Sequence, residues 1–267
     1  MNNPHDKQGY FDHILKLNER IGDGQKYSIK VPVELCQFVL RQKMLPAFKI
    51  YLLLKMTTSG KCRLEKWDKI MYSEFCGYTS FKSFDNNLKN LRSLNWLGYN
   101  ERTCYYFIRS FASIQKQHQL LKSRTGFWFA IQDMQDFDGV IYGAFIGYLS
   151  KHQGKLQRAD QKNGRSNQTL CKSPGFYPVA NRALAKILNI SVSTASMMKR
   201  RAEEEGAIEV IRKRIVTPAT YSSFRILQTH YSDEILKPIL WKSKFYQRFP
   251  DLVRANLKYG MRKKIDQ

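Results

Sequence analysis

Residues 177–211 read YPVANRALAKILNISVSTASMMKRRAEEEGAIEVI, and they carry the clearest structural signal in the chain. Near the start, apolar residues recur at helical spacing: Ala183, Leu184, Ile187 and Leu188. Asn189 to Ser191 predict a tight turn, after which Ser191 caps a second helix. That helix turns small or apolar residues inward (Ala195, Met198 and Ala202), and Gly206 predicts its left-handed end. The predicted order is helix, turn, helix, and then a strand that begins at Ile208.

The same order occurs earlier in the chain. One helix is predicted from an apolar face made by Trp67, Ile70, Met71 and Phe75, and Gly77 to Ser80 form the turn. A second helix turns Phe84, Leu88 and Leu91 inward, and Asn95 stands where Gly206 stands in the later copy. Ser80 lies fifteen residues before Asn95, as Ser191 lies fifteen residues before Gly206. The equal spacing indicates an internal repeat.

Each copy is flanked by further elements of the same kind. An amphipathic helix is predicted upstream over 46–56 in the first copy and over 140–151 in the second. A strand pair is predicted downstream, from Trp96 with a return at 104–108, and from Ile208 with a return at 221–227. Helix, turn, helix and hairpin therefore follow one another twice.

The run from Ala183 to Ser196, with its ending EEEGAI, resembles the helix-turn-helix of winged-helix regulators. The resemblance implies an α+β, mainly α fold with winged-helix domains at 27–110 and 138–228. Two such domains without an effector domain resemble plasmid and phage replication initiators, as does YSIKVPVEL at 27–35 before the helix at 46–56. This likeness implies duplex DNA as the partner, in addition to host replication proteins and a homodimer. A transcription regulator acting on an operator is the alternative, and an enzyme of DNA transfer is a distant third.

The remaining segments have their own predictions. The connector at 111–137 has a helical pattern and an aromatic strand, Phe127 to Phe129, which we expect to pack between the domains and fix their spacing. The polar insertion at 153–175 predicts a loop, either a DNA-backbone arm or a plain solvated loop. The basic segment 229–267 predicts a helix, with Leu252, Val253, Leu257 and Met261 at helical spacing. It either lies on phosphate or docks on the protein.

Charge supports a polyanionic partner. The chain has 45 Lys and Arg against 22 Asp and Glu, a formal net charge of +23. An excess of this size attracts nucleic acid or an anionic membrane. The alternative is a basic protein that has no such partner. We find no apolar run long enough to cross a bilayer and no signal peptide, so we expect no membrane partner and a cytoplasmic location.

A winged helix presents its second helix to the major groove and its hairpin to the neighbouring backbone. In the second copy this implies contacts from Ser193, Thr194, Ser196, Met197, Lys199, Arg200 and Arg201. In the first copy the equivalents are Lys82, Ser83, Asn86, Asn87, Lys89, Asn90 and Arg92. The hairpin tips add Arg102, Arg212, Lys213 and Arg214. Asparagine suits adenine and arginine suits guanine, and we expect the more regular second copy to be the stronger reader of sequence.

Catalytic and metal chemistry find little support in the sequence. The five cysteines are scattered without a C-x-x-C pair, so we interpret them as reduced and mostly buried. Asp133, Asp136 and Asp138 favour a polar turn over a metal site, and Tyr105-Tyr106 favour strand alternation over a nucleophile. We expect no catalytic residues, no metal and no cofactor.

Overall fold

The computed structural model describes residues 28–120, 125–163, 175–212 and 251–261. These ranges fold as an α+β protein, mainly helical, with three small antiparallel sheets. The chain divides into two compact units: residues 1–137 with 259–267 form unit 1, and residues 138–258 form unit 2. No described helix combines the length and the apolar character that crossing a bilayer requires.

Unit 1 contains most of the sheet strands. In chain order its elements are β1 (Ser28–Pro32), α1 (Val33–Arg41), α2 (Leu45–Thr57), β2 (Lys61–Arg63), α3 (Lys66–Phe75), α4 (Phe81–Ser93), β3 (Leu97–Asn100), β4 (Tyr105–Ile108), α5 (Phe111–Gln117) and β5 (Thr125–Ala130). Strands β2, β4 and β3 form one sheet in that order, and the loop between β3 and β4 is the predicted hairpin.

The core of unit 1 is built around α2 and Trp96. Pro46 lies in the first turn of α2, where its missing N–H costs nothing, and nearly every later residue of the helix is buried. Trp96 is fully buried and packs edge-on against Tyr51, with ring centroids 5.3 Å apart. Its indole Nε1 donates a hydrogen bond of 2.8 Å to His118 Nε2. This bond ties the end of α5 to the core.

The segment predicted as a connector belongs to unit 1. Residues 126–130 of β5 pair with β1, and Phe127 and Phe129 are buried while Trp128 is exposed. Phe129 and Phe137 pack edge-on at 5.8 Å. Phe127 and Phe129 are therefore buried within unit 1, where β1 supplies the neighbouring strand, and the expectation that the run packs between two domains stays a prediction.

Unit 2 contains the second copy. Its elements are α6 (Phe137–Lys162, whose first residue belongs to unit 1), β6 (Tyr177–Pro178), α7 (Asn181–Leu188), α8 (Val192–Glu204), β7 (Ile208–Ile211) and β8 (Leu252–Ala255). Helix α6 is eleven residues longer at its C-terminal end than the predicted 140–151, so the loop expected from residue 153 is wrong as far as Lys162. Good helix formers such as Leu156 and Ala159 continue the helix. Position 154 requires glycine because a side chain there would overlap the ring of Tyr177. Residues 164–174 of the insertion lie outside the described ranges.

The helix predicted in the C-terminal segment is also wrong where the segment is described. Leu252–Ala255 is a strand that lies between β6 and β7, with Val210 opposite Val253. Tyr259–Met261 (β9) pairs with β5 in unit 1. Sheet pairing across a long sequence separation overrides the helical spacing of the apolar residues. Strand β8 is the partner of β7, and the return strand predicted at 221–227 lies outside the described residues.

The second helix of each helix-turn-helix copy, α4 or α8, ends as the sequence predicts. Asn95 and Gly206 both adopt the left-handed conformation, with φ of 54° and 66°. The Ser191 hydroxyl accepts a hydrogen bond of 3.0 Å from Thr194 N, which confirms the predicted cap. Ser80 occupies the equivalent position, but its side chain makes no capping hydrogen bond.

Candidate nucleic-acid interface

Helix α4 separates an apolar face from a polar one. Phe84, Leu88 and Leu91 are buried against the core of unit 1, as the sequence predicted. The opposite side of the helix exposes six of the predicted contact residues: Lys82, Ser83, Asn86, Lys89, Asn90 and Arg92. The seventh, Asn87, is half-buried, and its amide donates to the carbonyl oxygen of Ser83 at 2.9 Å. Asn87 is therefore a poor candidate for base contact, because it lies seven residues after Ser80 and so at the margin of the inner face.

The cations of α4 are only partly neutralised. Lys89 Nζ lies 2.9 Å from Asp85 Oδ2, and Lys69 approaches the other oxygen of that carboxylate at 3.9 Å. Lys82 and Arg92 have no acidic partner among the described residues. The outward face of α4 is thus polar and carries a net positive charge.

A shallow groove runs between the C-terminal half of α4 and strand β3. Its lining includes Lys89, Arg92, Ser93, Asn95, Gly98 and Tyr99. The Arg92 guanidinium lies over the ring of Tyr99, 4.4 Å from the ring centroid, which orients it towards this groove. Tyr99 was not predicted from the sequence as part of this surface, although it directly follows Gly98 in the strand after α4.

The hairpin tip of unit 1 exposes Arg102. Asn100 Oδ1 accepts hydrogen bonds from the backbone N–H groups of Arg102 and Thr103, at 3.0 and 3.2 Å. This arrangement fixes the turn and leaves the Arg102 side chain exposed. The predicted hairpin arginine therefore lies at an ordered tip.

Most of the contact residues predicted on helix α8 are exposed, but not all of them. Ser193, Ser196, Met197, Arg200 and Arg201 are exposed, and Thr194 is half-buried. The hydroxyls of Ser193 and Thr194 both approach the Ser191 hydroxyl, at 2.7 and 2.8 Å. These two side chains form a hydroxyl cluster at the start of the helix.

Lys199 was wrongly assigned to the DNA-facing side. Its side chain is 1% exposed, and Nζ donates to the backbone carbonyl of Val179 and to Asp251 Oδ2, the latter at 2.9 Å. Burial lowers the pKa of Lys199, although the neighbouring Asp251 acts in the opposite direction. The helical repeat explains the error: Lys199 lies four residues after Ala195 and three before Ala202, both of which are buried.

The described arginines among the predicted contacts of unit 2 each have an acidic partner. Three pairs are present: Arg200 Nε with Glu204 at 3.6 Å, Arg201 with Asp138 at 3.2 Å, and Arg212 with Glu203. The four-residue spacing of Arg200 and Glu204 on one helix could have indicated the first of these pairs, whereas the pairs with Asp138 and Arg212 join separate elements. Lys213 and Arg214 lie outside the described residues.

Asp133 and the described cysteines, which were considered above for metal or catalytic chemistry, lie in ordinary structural surroundings. The Asp133 carboxylate accepts a hydrogen bond of 2.7 Å from Ala130 N. The four described cysteines are free thiols, and burial raises the pKa of Cys76 to about 12. Within the described residues, no group of three or more His, Cys, Asp or Glu side chains is arranged to hold a metal ion.

Comparison of the chain with protein-family models, curated proteins and solved structures found no match.

Proposed function

We propose that this protein binds duplex DNA in a sequence-dependent manner through two winged-helix domains. The observation that carries the proposal is the outward face of α4. It sets six exposed polar side chains, three of them cationic, on one side of a helix whose other side is buried. A hairpin with an exposed arginine at its tip follows directly. This is the combination that a winged helix uses on DNA.

The dimensions and chemistry of α4 suit a major groove. Thirteen residues give a helix of roughly 20 Å, and the groove is about 12 Å wide, enough to admit an α-helix. Asn86 and Asn90 lie four residues apart on one face, where each amide can pair with an adenine edge. Lys82 and Arg92, at the two ends of the helix, are placed to reach phosphates.

Helix α8 offers a second contact surface with a different character. Ser196 and Met197 present a small hydroxyl and an apolar group, the latter suited to a thymine methyl. Arg200 reads guanine in this proposal, and it must leave Glu204 to do so. Because both partners of that pair are more than half exposed, the exchange costs little.

The biological role that we propose is replication initiation on a plasmid, phage or other mobile element. Support comes from the high net positive charge and from two DNA-contact surfaces in one chain. Host replication proteins, a homodimer and a cytoplasmic location are part of this proposal. Control of transcription through the same two surfaces is the second candidate, and repeated binding sites within an origin beside the gene would favour initiation over it.

Selection of bound sequences from a random duplex pool tests the proposal directly. We expect enrichment of a defined site, and a log–log salt slope of magnitude about 5 or higher if six or more phosphates are contacted. Lys82→Ala should weaken binding and reduce that slope by about 1. Lys116→Ala removes the same charge from the exposed side of α5 and is the matched control. Absence of enrichment, or equal effects of the two variants, would contradict the proposal.

A further inference from the structure

The sheet formed by β2, β4 and β3 has an outer face that α4 does not use. The strand register sets two rows of residues across it: Lys61, Phe107 and Gly98 in one row, and Arg63, Tyr105 and Asn100 in the next. The opposite face carries the buried Tyr106 and Ile108. We call the six residues of the two rows the outer face.

Two aromatic rings on the outer face are unusually accessible. Tyr105 is 38% exposed and Phe107 is 43% exposed, although they lie on the central strand of the sheet. They are two residues apart on β4, so they point the same way and stand about 7 Å apart along the strand. Gly98 has no side chain to cover Phe107 on its β3 side. Two partly exposed rings therefore lie side by side, and the flexible Lys61 side chain over Tyr105 must move aside for a base to stack there.

Cations border these rings. Lys61 Nζ lies 5.8 Å from the centroid of the Tyr105 ring. Arg63 is exposed, and its contact with Glu65 at 3.7 Å joins two side chains that are both largely in solvent, so it holds the guanidinium weakly. Lysine is depleted from the cores of protein interfaces, so exposed rings beside Lys61 fit a polyanion better than an apolar protein surface.

We propose that the outer face binds single-stranded nucleic acid, with one unpaired base stacked on Tyr105 and the next on Phe107. Base stacking on aromatic side chains, combined with cations that follow the backbone, is the recognition chemistry of single strands. Lys61 and Arg63 neutralise the phosphates, and the Asn100 amide Nδ2 donates a hydrogen bond to a base edge while its Oδ1 holds the hairpin turn. A duplex cannot use this site, because its bases are already stacked. The site is therefore separate from the duplex-contact surface on α4.

The test uses the full chain with fluorescent oligothymidine, oligouridine and a DNA duplex as probes. We expect the single strands to bind, and the double variant Tyr105→Ala/Phe107→Ala to weaken that binding by roughly tenfold or more for each ring lost. Duplex binding should stay unchanged, which also reports that the variant is folded. Oligothymidine and oligouridine together distinguish a DNA site from an RNA site.

Two further variants separate ring stacking from plain apolar contact and from a general effect of exposed aromatic residues. Phe107→Leu keeps the apolar bulk and loses the ring, so it should bind single strands as weakly as Phe107→Ala does. Trp128→Ala removes the single outward aromatic of β5 and should have no effect. Photo-crosslinking of bromouridine-substituted strands to the unaltered chain should mark Tyr105 or Phe107.

Several results would overturn the proposal. They are absence of single-strand binding, full binding by Phe107→Leu, crosslinks confined to other residues, and equal losses from Trp128→Ala. A double variant that turns a dimer into a monomer while single-strand binding persists would show that this face joins two copies of the chain. Loss of duplex binding by Lys82→Ala alone concerns α4, so the two proposals fail independently.

Discussion

The two helix-turn-helix copies share their order and their ends but have different inner faces. In the first copy α4 buries Phe84, Leu88 and Leu91, whereas α8 buries Ala195, Lys199 and Ala202. Large side chains fill the space under α4. On α8 the first and last buried residues are small alanines, Met198 is the one large apolar residue that it buries, and Lys199 stands eight residues after the Ser191 cap, where Leu88 stands eight residues after Ser80. The same backbone order is thus compatible with an apolar core in one unit and a buried charged pair in the other.

The exposed faces of α4 and α8 also differ, because the cations of α8 are more fully paired with carboxylates than those of α4. Lys82 and Arg92 on α4 have no acidic partner among the described residues, whereas Arg200 and Arg201 on α8 each have one. Separating these exposed pairs costs little, but the carboxylates of Glu204 and Asp138 lower the local positive charge that a phosphate meets beside α8. The expectation that the second copy is the stronger reader rested on the regularity of its sequence, and this difference in charge argues that α4 contributes more of the salt-dependent affinity.

The largest effect should come from the buried pair of unit 2. Asp251→Ala leaves Lys199 buried without its carboxylate, and we expect the free energy of unfolding to fall by about 3 kcal/mol, as measured by urea denaturation. The deficit should shrink as the pH rises towards the ordinary lysine pKa. The pKa of Lys199 is lowered in the folded state, so the unfolded state binds more protons in that window and stability increases with pH.

The double variant Lys199→Leu/Asp251→Ala makes the two inner faces more alike, since it gives unit 2 the apolar residue that unit 1 has at Leu88. We expect it to recover most of the lost stability. A double variant that is no more stable than Asp251→Ala would show that the charge of Lys199 is not the cause.

A second effect concerns the close approach to α6. A side chain at Gly143 would overlap Ala207, so Gly143→Ala should destabilise the protein by about 2 kcal/mol despite the better helix propensity of alanine. Gly139 lies one turn earlier, and a side chain there would overlap the Glu205 side chain, which can move, although the backbone of Arg201 is also near. Gly139→Ala is therefore the matched control, with a smaller loss in thermal denaturation. Equal losses would contradict the packing assigned to Gly143.

A third prediction concerns DNA contact by α8. Arg200→Ala should lower affinity for the selected site by about 1–3 kcal/mol and reduce its preference over random duplex. Glu204→Ala should instead strengthen binding to all duplexes slightly, because it releases Arg200 and removes a negative charge. Both are measured by competition binding at fixed salt. An unchanged preference in Arg200→Ala would remove this residue from the reading face.

The smallest effect should be the response of unit 1 to acid. Burial lowers the pKa of His118, whose Nε2 accepts the hydrogen bond from Trp96. A lowered folded-state pKa means that stability is lost as the pH falls below about 6.5, the ordinary histidine value. His118→Gln should flatten that part of the stability profile, which is measured by denaturant unfolding at a series of pH values and followed by tryptophan fluorescence. A profile as steep as that of the unaltered chain would show that other groups are responsible.

Features that depend on a few neighbouring residues could be predicted from the sequence. Asn95, Gly206 and the Ser191 cap were identified because turn and cap residues act within a few positions. The burial of Lys199 was also within reach, since the helical repeat alone places it between Ala195 and Ala202. Strand β8 was not, because its place between β6 and β7 depends on pairing between residues 41 to 76 positions apart. The pairs that α8 makes with Asp138 and Arg212 were not within reach either, because they join residues of separate elements, whereas the Arg200–Glu204 pair has the four-residue spacing of a helical ion pair.

Footprinting of the full chain on its selected duplex would show whether the second helices of both units contact DNA. Hydroxyl-radical protection would be compared at matched occupancy for the unaltered chain, Lys82→Ala/Asn86→Ala on α4 and Ser196→Ala/Arg200→Ala on α8. We predict that each double variant loses protection at its own set of positions and keeps the other set. A footprint that neither variant alters would contradict duplex binding through these two helices, and one that only the α8 variant alters would show that the first copy does not touch DNA.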